Sequence, residues 1–271
     1  MRKMKLLSEI ETGPVGQNEL KVFFLGQSGY VIKTNQTIVY IDPYLSDYIE
    51  NKAGRNNQLM TRKYPPPFNP REIEQIDAVL CTHGHSDHMD PWTLEKIRPP
   101  YLFLSTEVAY HKNPVALEAK KKVFLSLGQS VKINEMNISF LPAAHYHLFD
   151  KSGKPDCVSF LITIGDKNLF FWGDGLIHED LIDSIKSIYF DCFFAPINGR
   201  DWFREQRGII GNLTARELSE LSLVLNIDIL IPNHFDLFQY NGESVDYFQY
   251  CMQQYAPDQN YRVLYCGEFL K

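Results

Sequence analysis

Short apolar runs separated by turn residues dominate the first 45 positions of the chain. Their length and their β-branched and aromatic content are typical of buried strands. The predicted strands are Val22–Leu25, Tyr30–Thr34 and Thr37–Ile41. The third run ends at Asp42-Pro43. Because proline cannot continue a central ladder, we expect Asp42 at a strand end.

The same kind of pattern continues to the C-terminus and predicts a mixture of strands and helices. Further strands are predicted over 77–81, 101–104, 123–125, 130–133, 137–141, 158–164, 169–172, 192–195, 227–231 and 261–265. Helices are predicted after Asp90-Pro91, over 177–188, after the capping box Thr214–Glu217, over 244–255, and in a region that breaks at Asn113-Pro114 and ends at Lys120–Lys122. Each half has strands followed by helices, which predicts an α/β fold of two packed sheets with helices outside, in one domain over 1–271.

Residues 46–70 have a different character. They are polar and weakly periodic up to Met60 and then stiffen into a proline-rich segment over 64–70. The pattern predicts a long loop of the kind that forms lids or interface arms. Arg55, Arg62 and Lys63 are candidates for contacting an anionic substrate, although solvated surface charge is the favoured interpretation.

Composition narrows the class of protein. The chain has 271 residues, 44% of them hydrophobic, and a net charge of −6. An acidic chain lacks the basic footprint that nucleic-acid binding requires, so no nucleic-acid partner is expected. The five cysteines form no CxxC pair, and no apolar run reaches the roughly 20 residues of a membrane span. We therefore expect a soluble, cytoplasmic protein with free thiols and no membrane partner.

Residues of the types that bind metals are concentrated in the segment Thr82–His88, directly after the predicted strand at 77–81. It reads His-x-His-x-Asp-His, with His83, His85, Asp87 and His88. Imidazole and carboxylate groups at this density suit a divalent metal. Asp90-Pro91 begins a helix immediately afterwards, so the segment lies between a strand end and a helix start, where ligand sites form in α/β sheets.

Three further strand ends deliver residues that bind metals: His145, Asp174 and His234. One histidine after a strand is usually a polar cap or a core residue. Four strand ends that each carry histidine or aspartate indicate one convergent metal site instead.

This series resembles the ligand series of the metallo-β-lactamase superfamily in order and spacing. The resemblance implies an αβ/βα four-layer sandwich of two mixed β-sheets with helices outside, with one or two divalent metal ions at one edge. It assigns His83, His85 and His145 to a first metal site, Asp87, His88 and His234 to a second, and a bridging role to Asp174. Asp42 matches an aspartate that supports the site without binding the metal.

Other segments resemble the L-ascorbate-6-phosphate lactonase group of that superfamily. They are 41–46, 64–67, 195–202, 211–214 and 231–238. The resemblance implies a cytoplasmic, homo-oligomeric hydrolase that opens the lactone of a phosphorylated sugar acid by attack of metal-bound hydroxide. Asp87 and Asp174 would be catalytic, orienting the water and moving its proton. Manganese or zinc would occupy the site, with iron as a further option.

A small anionic sugar-lactone substrate also requires a phosphate-binding group. Asn198 and Arg200 are the candidates, because arginine recognises phosphate with two parallel hydrogen bonds. Arg204 and Arg207 lie in the same segment, and surface or subunit contacts are the alternative role for them.

Two other functions are compatible with a metal site of this kind. A two-metal phosphodiesterase or nuclease could use the same ligands to clamp a phosphoryl group. A redox di-iron module or a scaffold is the second alternative, but no length remains for a flavin domain, and a scaffold has no reason to keep all seven ligand positions.

Overall fold

Two mixed β-sheets face each other in the computed structural model, which describes residues 2–53, 60–98, 101–113, 115, 117 and 119–271. The first sheet has the order β13-β1-β2-β3-β4-β5-β6. Its strands are β1 (Lys21–Gly26), β2 (Gly29–Lys33), β3 (Ile38–Ile41), β4 (Ala78–Leu80), β5 (Leu102–Ser105), β6 (Lys121–Phe124) and β13 (Phe269–Leu270).

The second sheet has the order β12-β11-β10-β9-β8-β7. Its strands are β7 (Ser130–Ile133), β8 (Met136–Ala143), β9 (Cys157–Ile164), β10 (Lys167–Phe171), β11 (Tyr189–Pro196) and β12 (Asn226–Asn233). Strands β3 to β6 are parallel in the first sheet, and β10 to β12 are parallel in the second.

Helices cover the outer faces of both sheets. The described helices are α1 (Arg2–Thr12), α2 (Tyr48–Ala53), α3 (Pro91–Leu94), α4 (Glu107–Lys112), α5 (Glu179–Ile185), α6 (Trp202–Glu205), α7 (Ala215–Leu221) and α8 (Val245–Tyr255). The predicted N-cap Asp90 is present, and Thr214 forms the expected capping box with Glu217. Ser244, predicted as the first residue of the last helix, is its N-cap.

Apolar side chains form three layers that hold this arrangement. One cluster fills the space between the sheets and includes Tyr30, Phe140 and Phe160. A second packs the first sheet against α1, α3 and α4, and a third packs the second sheet against α5, α7 and α8. The predicted α/β sandwich of two mixed sheets with helices outside is therefore confirmed.

The C-terminal ends of several strands meet at one edge of the sandwich. Asp42 follows β3, Thr82 follows β4, and His234 follows β12. The Val158 amide donates to the Thr82 carbonyl at 3.0 Å and so joins the two sheets at this edge. Gly173, at φ +72°, lies so close to Thr82 that a Cβ there would be 2.9 Å from the Thr82 Cβ. This glycine therefore permits the close approach of the loops after β4 and β10.

Some predicted elements are wrong in place or type. No ladder forms over 261–265, where Tyr261 alone makes an isolated bridge with Leu230. Leu264 of this segment is buried in the layer between the sheets. The apolar pattern of the segment therefore reflects burial and not membership of a β-ladder. Edge strand β13, which pairs with β1, was not predicted. At two residues it is too short to give a pattern.

The lysine run at 120–122 is the second correction. It was predicted to end a helix, but Lys121 and Lys122 belong to β6, which pairs with β5 at the edge of the first sheet. Lysine is common on edge strands because its charge discourages pairing with other chains. The predicted break at Asn113-Pro114 fits the end of α4, where Asn113 is the C-cap, while Pro114 lies outside the described residues.

Three helical regions also differ from the predictions. The helix predicted over 177–188 is shorter, because His178 caps α5 and the helix ends at Ile185. Helix α1 was not predicted, since its buried face is carried by only a few residues such as Leu7 and Ile10. The loop predicted over 46–70 contains α2 and a 3₁₀ turn at Pro70–Glu72, and residues 54–59 lie outside the described part. Among the described residues, no helix combines the length and apolarity needed to cross a membrane.

The layer between the sheets is expected to dominate stability. Phe160 is fully buried there and contacts the Phe140 ring edge-on at a centroid distance of 5.1 Å. Phe160→Ala should lower the free energy of unfolding by about 3–5 kcal/mol, because it removes buried area and leaves a cavity. Phe203, 66% exposed on α6, is the matched control, and Phe203→Ala should change little. Equal losses for the two variants in urea denaturation would contradict this assignment of the core.

Candidate metal centre

The structure brings all seven predicted ligand residues together at the open edge of the sandwich. Two groups form, and within each group the potential ligand atoms all lie within 4.8 Å of one another. The first group contains His83, His85, His145 and Asp174, and the second contains Asp87, His88 and His234. The loops after β4, β8, β10 and β12 supply these residues.

The first group is built around His83. Its Nε2 lies 2.9 Å from Nδ1 of His85 and 3.9 Å from Oδ2 of Asp174. The ring of His145 lies 5.2 Å from that of His85, centroid to centroid. Three imidazoles and a carboxylate thus surround one small volume.

The second group is built around Asp87 and shares a neighbour with the first. Oδ2 of Asp87 lies 3.2 Å from Nε2 of His234 and 3.8 Å from Nε2 of His88. Asp174 contributes from the other side, with Oδ1 at 3.3 Å from Nε2 of His88 and Oδ2 at 3.5 Å from Nε2 of His234. Asp174 therefore lies between the two groups, where a bridging carboxylate would be expected.

Several inward-facing atoms have no hydrogen-bond partner among the described residues. They are Nε2 of His145, Nε2 of His88 and Oδ1 of Asp174, all buried; the last two lie 3.3 Å apart but outside hydrogen-bond geometry. The other ring nitrogens of the two histidines are held, by the carboxylate of Asp42 at 2.7 Å and the carbonyl of Gly211 at 3.0 Å. Unpaired buried polar atoms are costly, so the donor set fits a divalent cation at this place.

Asp42 supports the site by binding His88 and the start of the loop after β4. Its carboxylate accepts hydrogen bonds from the Thr82 amide at 2.8 Å and the Thr82 hydroxyl at 2.7 Å, in addition to its contact with His88. Its backbone has a φ of +45°, which is uncommon for a residue other than glycine. The strain is held by these contacts, which fix the loop that begins at Thr82.

Burial and neighbouring charges shift the pKa values of several groups in the centre. Burial lowers the pKa of His83 well below its usual value, and the imidazoles of His88 and His85 lower it further. For His88 and His234 burial also acts downward, but the nearby carboxylates outweigh it. They raise the pKa of His88 well above its usual value and that of His234 to about 9.

The two carboxylates respond in the opposite direction. Burial alone would raise the pKa of Asp87 and of Asp174, but His88 and His234 lower both below the usual value. Both groups are therefore anionic at neutral pH. Negative charge is thus held in place at the point where a cation would be bound.

The predicted substrate-contacting residues are linked to this centre through Asn212, which bonds to both of them and to the Gly175 amide. Asn198 is 1% exposed and donates to Oδ1 of Asn241 at 2.8 Å. Arg200 makes two hydrogen bonds to Glu217, at 2.7 and 2.8 Å, and a third to the Asn212 carbonyl. Their role as substrate contacts stays a prediction.

The other basic residues that were candidates for substrate contact mainly bind other parts of the protein. Arg204 is buried and donates to the carbonyl of Asn198, and Arg207 lies over the ring of Tyr240. Arg62 is buried and donates to the carbonyls of residues 44, 46 and 64. These bonds connect the start of the 46–70 segment to its proline-rich part. Lys63 donates its backbone amide to residue 237, and Arg55 lies outside the described residues.

Two residues that contact the centre were not identified from the sequence. Gln27 is fully buried, and its Nε2 lies 2.9 Å from Oδ2 of Asp87. Asn212 accepts a hydrogen bond from the Gly175 amide, next to Asp174. From the sequence, Gly26 and Gly29 predicted only a tight turn between two strands. Nothing in the sequence indicated a functional role for the glutamine in that turn, because only the fold places it against the ligand residues.

Comparison with known proteins identifies the family of this chain. The family model described as the beta-lactamase superfamily domain matches residues 37–235. The chain belongs to this superfamily. The predicted superfamily membership is thereby confirmed, whereas the narrower resemblance to the lactonase group stays a prediction.

Several curated relatives of this chain are named metal-dependent hydrolases. One from Oenococcus oeni is 27% identical, in a match that covers 60% of this chain and 66% of that protein, just under two thirds. One from Methanobrevibacter smithii is 26% identical, with 93% and 97% covered. The solved isothiocyanate hydrolase from Delia radicum gut bacteria shares the fold, with a TM-score of 0.72, 13% identity and coverage of 93% and 98%.

Metal binding should release protons at neutral pH. His88 and His234 have raised pKa values in the metal-free protein, so each is protonated near pH 7 and must lose the proton from Nε2 to bind a cation. Affinity for Mn²⁺ should therefore rise with pH up to about 9. Calorimetric titration near pH 7 in buffers of different ionisation enthalpy should give different heats. His178→Gln, outside the centre, should behave like wild type, and identical heats in all buffers would exclude the predicted release.

The Arg200–Glu217 pair tests whether Arg200 is structural or binds substrate. Both side chains are 31% exposed, and Glu217 also caps α7. Arg200→Ala should therefore cost about 1 kcal/mol of unfolding free energy. A double-mutant cycle with Glu217→Gln should recover most of that value as coupling. Unchanged stability together with a raised KM would assign Arg200 to the substrate instead.

Proposed function

We propose that this protein is a metal-dependent hydrolase that opens the lactone ring of a phosphorylated sugar acid. The observation that carries the proposal is the convergence of four loops that bring together five imidazoles and two carboxylates, with buried atoms of His88, His145 and Asp174 that have no hydrogen-bond partner among the described residues. Superfamily membership and the names of the curated relatives support the reaction class. The motifs shared with the lactonase group support the substrate class.

The residues that would hold the metals follow from the two groups. His83, His85 and His145 would bind one cation, and Asp87, His88 and His234 the other, with Asp174 between them. When bound, a divalent cation supplies Lewis acidity and lowers the pKa of water towards about 7. Manganese, zinc and iron are all suited to this donor set.

Asp87 is the candidate for moving the proton. Its side chain is 13% exposed, against 5% for Asp174, so it is the carboxylate with more access to the open edge. Its pKa is held low by the neighbouring histidines, so it is ready to accept a hydrogen bond from the attacking water. Ring opening leaves an alkoxide that needs a proton, and a carboxylate within reach can deliver it. Asp174, more deeply buried, would orient the water and hold the two cations.

Substrate recognition is assigned to the segment that begins at Asn198. Arg200 keeps 31% of its side chain exposed while paired with Glu217, which leaves part of the guanidinium for a phosphate. The net charge of −6 favours a small anion over a nucleic acid, because a local arginine is enough for one phosphate.

Asp87→Asn should reduce lactone hydrolysis by about 100-fold or more, because the amide cannot accept the proton. The substitution is isosteric, so the protein should remain folded, which a thermal unfolding curve checks. Asp166→Asn, in an exposed turn, is the matched control and should be fully active. Undiminished turnover by Asp87→Asn would remove Asp87 from the mechanism.

A paired assay separates the proposed reaction from phosphodiester hydrolysis. The manganese-loaded and zinc-loaded proteins are tested on phosphorylated sugar lactones and on a bis-aryl phosphodiester. The proposal expects a higher kcat/KM for a phosphorylated lactone than for its unphosphorylated form and for the diester. Preference for the diester would replace lactone hydrolysis with phosphodiesterase activity.

A further inference from the structure

Gln27 occupies an unusual position for a glutamine. It lies in the turn between β1 and β2, is fully buried, and has a φ of +58°. Its backbone carbonyl accepts from the His234 amide at 2.8 Å, and its amide donates to Oδ1 of Asp236 at 3.4 Å. The turn is therefore fastened to the segment that carries His234. A strained backbone held in this way is characteristic of functional sites.

The end of the Gln27 side chain lies among the atoms of the second group. Its Nε2 lies 2.9 Å from Oδ2 of Asp87 and 3.1 Å from Nε2 of His234. Those two atoms are 3.2 Å from each other. The three atoms therefore form a nearly equilateral triangle.

A triangle of this size matches one face of a metal coordination polyhedron. Adjacent ligands of an octahedral cation with bonds of about 2.1 Å lie about 3.0 Å apart. Asp87 and His234 are already candidate ligands, so the third corner has the spacing expected of a further ligand. An amide N–H₂ cannot bind a cation, but the amide oxygen can.

The amide oxygen of Gln27 also needs a partner. Oε1 is buried and has no hydrogen-bond partner among the described residues. Half a turn about the last side-chain bond exchanges Oε1 and Nε2 without moving the rest of the chain. In that orientation the oxygen would stand at the corner of the triangle.

We propose that Gln27 is an additional metal ligand, binding through Oε1 the cation held by Asp87, His88 and His234. This inference depends on the proposed function only in taking a divalent cation as the occupant of the centre. It makes the second site richer in oxygen, because Gln27 joins the carboxylates of Asp87 and Asp174. Oxygen donors favour harder cations, so this site should select Mn²⁺ over Zn²⁺ more strongly than the histidine-rich first site.

The competing role for Gln27 is a hydrogen-bond donor that only orients Asp87. Two substitutions separate the roles. Gln27→Glu offers a carboxylate oxygen but no donor, and Gln27→Lys offers a donor but no oxygen. A ligand is replaced by Glu and not by Lys, whereas a donor is replaced by Lys and not by Glu.

The experiment measures Mn²⁺ binding to the full chain, by equilibrium dialysis with elemental analysis and by calorimetry, without substrate. Wild type and Gln27→Glu should fill both sites. Gln27→Met and Gln27→Lys should fill the first site and bind Mn²⁺ at the second about 100-fold more weakly or worse. Gln36→Met, in the exposed turn at the other end of β2, is the matched control. Circular dichroism melts check that each variant is folded.

The outcomes distinguish this inference from the proposed function. Full second-site binding by Gln27→Met, or rescue by Lys with failure of Glu, would overturn the ligand role of Gln27 alone. Wild-type protein that bound no Mn²⁺ and no Zn²⁺ would overturn the proposed function as well. If Gln27→Met does not fold, the Glu and Lys pair still decides between ligand and donor.

Discussion

One electrostatic constraint governs this edge of the sandwich: five imidazoles and two carboxylates lie together, and buried atoms of His88, His145 and Asp174 have no hydrogen-bond partner among the described residues. Taking such groups out of water is unfavourable unless something binds them. In the metal-free protein, protons on His88 and His234 partly balance the charges of Asp87 and Asp174, which explains the opposed pKa shifts. A divalent cation balances the same charges and also satisfies the unpaired atoms.

The surrounding fold stabilises this arrangement although burying its charged and unpaired groups is unfavourable. The ligand loops begin at strand ends on one edge, so the apolar layer between the sheets fixes their starting points. Behind them, Asp42 holds His88 and the carbonyl of Gly211 holds His145. Three residues at the centre, Gln27, Asp42 and His234, adopt positive φ values that only a rigid frame maintains. The packed core thus maintains a loop geometry that the isolated loops would not adopt.

The sequence predicted the sandwich and the ligand set because both are carried by local patterns. Strand lengths and capping residues mark the elements, and histidine or aspartate directly after a strand marks the edge. Elements without a pattern of their own were missed, as α1 and β13 show, and burial without pairing made 261–265 resemble a strand. Gln27 and Asn212 could not be predicted, since their role depends on contacts with residues 60 and 37 positions away. The pairing of Arg200 with Glu217 could not be predicted either, because only the fold brings the two side chains together.

Anomalous diffraction from crystals grown with Mn²⁺, recorded on both sides of the manganese absorption edge, would locate the bound metal. We expect one peak among His83, His85 and His145 and another among Asp87, His88 and His234, with Asp174 in contact with both. Diffraction that showed manganese only at surface carboxylates, with no peak inside either group, would contradict this expectation.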